Sequence, residues 1–184
     1  VTSDVTIHSF DINSSSTSAF TVDIYYRLGS YTGFETDPTA WTLGGTASVT
    51  SNGADIATPV PVDIDLDVAA GDAWSFYITG SGFKYTNGTQ EGVPFVSDSN
   101  LTIHEGLGMG APWSGTYFTP RIWNGTIHYE AGPRLIMPPL VEGTLADFYL
   151  VSCEPDSLAV LAYSIAGQGP TGSPYGIIDL SMPI

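Results

Sequence analysis

Val62-Asp63-Ile64-Asp65-Leu66-Asp67-Val68, followed by Ala70-Gly71-Asp72 and Trp74-Ser75-Phe76-Tyr77-Ile78-Thr79, is the stretch that decides the fold class. In the first segment four apolar residues alternate with three aspartates, and in the second Trp74, Phe76 and Ile78 alternate with Ser75, Tyr77 and Thr79. Successive side chains of a strand point to opposite faces, so a period of two marks a strand with one buried and one solvated side. With the Ala-Gly-Asp turn between them, the two segments read as a hairpin.

The same pattern extends in both directions. Strands are expected near Val5–Ile12, Ala19–Arg27, Trp41–Thr50, Pro59–Val68, Ala73–Thr79, Gly82–Tyr85, Leu101–Glu105 and Tyr117–Tyr129. No window repeats apolar residues at helical spacing, and Gly or Pro interrupts nearly every other stretch. These features predict an all-β chain whose residues 1–130 form an antiparallel β-sandwich of jelly-roll or immunoglobulin-like type. After Tyr129 the pattern breaks at Ala131-Gly132-Pro133 and Met137-Pro138-Pro139, where a domain boundary is expected. Strands at Ala146–Ser152, Leu158–Ser164 and Gly176–Met182, with a loop at Gly167–Pro174, would make 131–184 a smaller, incomplete β-sandwich.

Charge narrows the function classes. Four Lys+Arg against 19 Asp+Glu give a net charge of -15. Phosphate backbones need clustered cations, so a nucleic-acid partner is excluded, and no apolar run is long enough for a membrane-spanning helix. Only 12% of residues are charged, the chain begins at Val1, and Gly, Ser and Thr abound, which suits a processed, secreted or cell-surface protein. The lone Cys153 forbids an internal disulfide, leaving stability to the core, a metal, glycans or partner chains.

Tyr25-Tyr26-Arg27, Gly29-Ser30-Tyr31, Ala40-Trp41-Thr42, Tyr85-Thr86-Asn87-Gly88-Thr89 and Pro120-Arg121-Ile122-Trp123-Asn124-Gly125-Thr126-Ile127-His128-Tyr129 resemble a β-sandwich module of secreted environmental bacterial proteins. Cys153-Glu154-Pro155-Asp156-Ser157-Leu158 through Ser164, with Gly169-Pro170-Thr171 and Pro174-Tyr175-Gly176, is similar to a small sandwich domain found at the C-terminal end of such proteins. The resemblance implies a sandwich and no catalytic motif. Domains like the second usually continue for further strands, whereas this sequence stops at Ile184. Ile178, Leu180, Met182 and Ile184 alternate with Asp179, Ser181 and Pro183, the pattern of a strand that a neighbouring subunit could pair with.

Four of the five asparagines, Asn13, Asn87, Asn100 and Asn124, stand in Asn-X-Ser/Thr sequons, where Ser and Thr frequency alone would give roughly one, so they are candidate glycosylation sites. Asp63, Asp65 and Asp67 on a flat strand face do not make the curled oxygen cage that calcium prefers. Glu35 and Asp37 are the alternative for a weak calcium site, and no other cofactor is expected. His8, His104 and His128 share a Thr-Ile-His context, but their separation does not place them together, and no metal site is assigned. No Gly-X-Ser-X-Gly is present and no His neighbours Cys153, so no catalytic residue and no enzyme are expected. Among the four tryptophans, Trp74 falls on an apolar face, whereas Trp113, in Gly110-Ala111-Pro112-Trp113-Ser114-Gly115, is the expected exposed ring and the candidate sugar platform. The expected function is a secreted structural subunit that assembles with itself by strand addition, with a carbohydrate-binding or adhesive module as the alternative.

Overall fold

The computed structural model describes residues 1–132 and, beyond them, the backbone of four short strands. Within 1–132 the strands are β1 (Val5–Ser14), β2 (Phe20–Leu28), β3 (Thr42–Val49), β4 (Gly53–Val60), β5 (Leu66–Val68) and β6 (Trp74–Thr79). They continue with β7 (Tyr85–Asn87), β8 (Pro94–Ser97), β9 (Thr102–His104), β10 (Gly106–Ala111), β11 (Ser114–Trp123) and β12 (Gly125–Ala131). Among the described residues the only helical element is a single 3-10 turn, Pro38–Ala40. The protein is all-β, as the alternation predicts.

Two antiparallel sheets make the sandwich. In the first, β1 is central, paired with β12 on one side and with β4 and β5 on the other; in the second the order is β3-β2-β6. The core between them is drawn from both: Val5, Ile7, Phe10 and Ile12 of β1 and Val60, Val62 and Val68 beside it meet Val22 and Ile24 of β2 and Val49 of β3. Phe10 fixes the centre, with its ring 4.9 Å from that of Phe76 and 5.8 Å edge-on from that of Trp123. Two smaller sheets, β10-β11-β7 and β8-β9, complete this part of the chain.

The segments 62–68 and 74–79 do not form the hairpin that their alternation predicts. β5 pairs with β1 and β6 pairs with β2, so the turn at Gly71 (φ 89) carries the chain from one sheet to the other and is not the tip of a hairpin. Both segments turn an apolar face to the same core from opposite sides, which gives each the alternation of a hairpin arm. The expected strand Pro59–Val68 is also broken. On β1, Phe10 lies opposite Val60 but Ile7 lies opposite Leu66, so His8 and Ser9 face the five residues 61–65. Long expected elements divide likewise: Tyr117–Tyr129 becomes β11 and β12, parting at Asn124, while β8 (Pro-Phe-Val-Ser) and the glycine-rich β10 form where the sequence shows no clear alternation.

The chain divides into two compact units, Val1–Ser152 and Cys153–Ile184. In the first, β13 (Arg134–Ile136) pairs antiparallel with β14 (Tyr149–Val151). In the second, β15 (Pro170–Ser173) and β16 (Gly176–Asp179) form an antiparallel hairpin with Thr171 opposite Ile178. Part of the expected loop Gly167–Pro174 is therefore strand. The expected strand Leu158–Ser164, Cys153, and the candidate interface residues Leu180, Met182 and Ile184 lie outside the described residues.

Candidate functional site

The break in the first sheet gathers polar side chains. β1 reads inward at Val5 and Ile7, then at Phe10, Ile12 and Ser14, a change of phase that requires a bulge at His8-Ser9. The β12 register records it, since Ile7 faces Tyr129 while Ser9 faces His128. Opposite, Val62 remains in the core and the Ile64 N–H donates to the His8 carbonyl, which throws the flanking Asp63 and Asp65 outward. Asp65 takes up a left-handed backbone conformation (φ 43). One nitrogen of His8 and one carboxylate oxygen each of Asp63 and Asp65 thereby come within 4.8 Å of one another. His8 Nδ1 is 2.6 Å from Asp65 Oδ1. Nε2, shielded from solvent and without a hydrogen-bond partner, is 3.7 Å from Glu130 Oε2 on β12. The premise that Asp63, Asp65 and Asp67 lie on one flat strand fails at the bulge: Asp67, on β5, accepts instead from the Thr6 hydroxyl. A three-residue step between Ile7 and Phe10, where strict alternation would give two, is the sequence signal that could have found this site.

Neither of the other histidines belongs to this group. His128 Nε2 is 2.9 Å from Asp11 Oδ1, and His104 is exposed on β9. Asp37 caps the 3-10 turn, accepting from Thr39 N and Thr39 Oγ1, which holds its carboxyl below the ordinary carboxylate value.

Trp113 tips the β10–β11 hairpin and is packed on the outer side of the β3-β2-β6 sheet. Its ring stacks on Tyr77 at 4.1 Å and 16°, with Tyr25 edge-on at 4.9 Å and Trp41 at 6.2 Å. Its backbone N–H donates to Tyr77 Oη, whose own proton goes to Met109 Sδ; burial raises the Tyr77 pKa. Arg27 extends the cluster, its guanidinium 3.8 Å above the Phe34 ring. The candidate sugar platform is thus half-buried, with one face on Tyr77.

Apolar side chains are exposed elsewhere. All four residues of β8 are exposed, Phe95 by 50% and Val96 by 48%, and among the described residues β8 pairs only with β9. This hairpin is secured by carboxylates at its two ends. In its turn, Asp98 accepts from the Tyr129 hydroxyl and from the N–H groups of Leu101 and Asn100, which lowers its pKa. At its foot, Glu105, only 5% exposed, accepts from Gln90 N and from Thr89 N and Oγ1, and these bonds hold its pKa down as well. A Cβ on Gly88 would run into Glu105 Oε2, so a larger residue there would have to displace the carboxylate that these bonds hold.

The four sequons differ. Asn13 is engaged with Asp55 through both ends of its amide, and Asn100 donates to Tyr129 Oη while accepting from Ser3 Oγ. Asn124 accepts from Thr86 Oγ1. Asn87 is exposed on the edge strand β7, and its side chain makes no hydrogen bond among the described residues.

No family model matches this sequence, and no curated protein or solved structure matches it either.

Proposed function

We propose that this protein is a secreted, non-enzymatic structural subunit that associates with copies of itself by strand addition. The observation that carries the reading is β8: a strand with both large apolar side chains exposed and one ladder edge open among the described residues. Such an edge is a template for a further strand, with backbone hydrogen bonds supplying affinity and alternate side chains supplying register. The donor we assign is the segment 176–184, whose Ile178, Leu180, Met182 and Ile184 alternate with small or polar residues. The N-terminal segment 1–12 is less suited as a donor, because β1 is paired along both edges within its own chain. The secreted setting rests on the low charged fraction and the Gly, Ser and Thr content. A carbohydrate-binding role finds less support, because stacking on Tyr77 occupies one face of Trp113.

Negative-stain electron microscopy with sedimentation on the purified chain tests the proposal. Filaments or sheets that disappear in Val96→Lys and on deletion of 176–184, with the circular-dichroism spectrum retained, are expected. Monomers at all concentrations, or a polymer indifferent to both changes, would overturn it.

A further inference from the structure

We propose that His8, Asp63 and Asp65 form a binding site for one divalent transition-metal ion of the zinc type, with Glu130 orienting the imidazole from behind. The three ligand atoms come from segments far apart in sequence and meet only because the pairing of β1 is interrupted on both sides at His8. That interruption needs no metal by itself. The second observation is the state of the imidazole. An ion on Nδ1 requires a neutral ring that carries its proton on Nε2, and metal-bound histidines almost always direct that outer N–H to a carboxylate or carbonyl. In this chain Nε2 is shielded, has no hydrogen-bond partner, and faces Glu130 Oε2 at 3.7 Å, one small side-chain movement from a bond.

Ligands about 2.0–2.2 Å from a tetrahedral ion are separated from each other by about 3.4 Å. The present spacing, 2.6 Å between His8 Nδ1 and Asp65 Oδ1 and at most 4.8 Å within the trio, brackets that value. Side-chain motion alone would therefore admit an ion. One imidazole with carboxylates selects a zinc-like ion over calcium, which takes oxygen ligands throughout. A net charge of -15 on few cationic side chains favours capture of any divalent cation. The ion would tie the irregular segment 61–65 to the β1 bulge, and its binding would add to folding stability.

The test is calorimetric titration of the 184-residue chain with zinc chloride, with melting curves recorded alongside. One site of micromolar or better affinity and a raised Tm are expected. Asp63→Asn, an exposed position whose change spares the core, should weaken binding at least tenfold while leaving the metal-free Tm unchanged, and His8→Gln should weaken binding by as much. His104→Gln and His128→Gln should bind as the parent does. Absence of saturable binding, binding indifferent to both Asp63→Asn and His8→Gln, or loss in His128→Gln alone would overturn the assignment. So would calcium binding as strong as zinc binding and unaffected by His8→Gln.

Discussion

β2 and β8 are both rich in β-formers, yet one is buried and the other is not. Phe20–Leu28 places Val22 and Ile24 wholly inside the sandwich, between two sheets. Pro94–Ser97 contains Phe and Val and leaves every residue exposed. β2 has strands on both edges, β3 and β6, and a second sheet across its inner face; β8 has β9 alone among the described residues, and polar bonds at the ends of the hairpin. Strand propensity makes both segments extended, but burial comes from a facing layer and not from the strand itself. The sandwich is held by apolar packing and the β8–β9 hairpin by hydrogen-bonded carboxylates, and the two should respond to different perturbations.

The strongest break is in the core. Phe10→Ala removes the ring that touches Phe76 and Trp123 and should cost about 3–5 kcal/mol, unfolding both main sheets together in a urea titration. A localised loss in the hairpins alone would mean that the sandwich is not the cooperative unit.

Next in size is Trp113→Ala, which takes away stacking on Tyr77 and an edge contact with Tyr25 and should cost about 1–2 kcal/mol. Amide exchange should accelerate in β10 and β11 and stay slow in β1 and β2. Equal acceleration everywhere would show that the hairpin tip belongs to the core.

Acid should separate the regions without mutation. Asp98 and Glu105 are both held below their ordinary values, so the stability they contribute is complete above about pH 4.3. It is lost as the pH falls through their depressed folded values. Amide protection factors, which correct for the slower intrinsic exchange in acid, should therefore fall in β8, β9 and the 88–91 loop at pH 3 relative to pH 6 while those of β2 hold, and Glu105→Gln should remove part of the difference. An equal response in β2 would contradict the division.

Smallest in stability is occupancy of the sequons. Glycan mapped by mass spectrometry on chain secreted from a glycosylating host is expected at Asn87 before Asn13 and Asn100, whose amides are already engaged. Attachment at Asn87 should change the unfolding free energy by no more than the roughly 0.5 kcal/mol typical of surface changes.

Much of the fold was legible in the residues themselves. Val62, Val68, Phe76 and Ile78 announced inward faces by alternation, and Trp74 was placed correctly against the core. The candidate site was not legible, because the argument from Asp63, Asp65 and Asp67 assumed a continuous strand. The step from Ile7 to Phe10 was present in the sequence, but a change of phase says that a bulge occurs and not what lies opposite it. Trp113 was misjudged for a related reason: a Gly- and Pro-rich loop suggests exposure, whereas the length of β10–β11 carries its tip onto Tyr77.

Alternation and charge, read alone, determined an all-β chain with a sandwich core and without the cationic clusters that phosphate backbones require. Side-chain hydrophobicity writes the inward face of each strand directly into the order of residues. The tertiary structure alone decided that β5 pairs with β1 and not with β6, that five residues stand opposite two at His8, and that an imidazole and two carboxylates meet there. Strand partners are chosen by backbone N–H and C=O groups that are the same at nearly every position, so the choice leaves no local mark in the sequence.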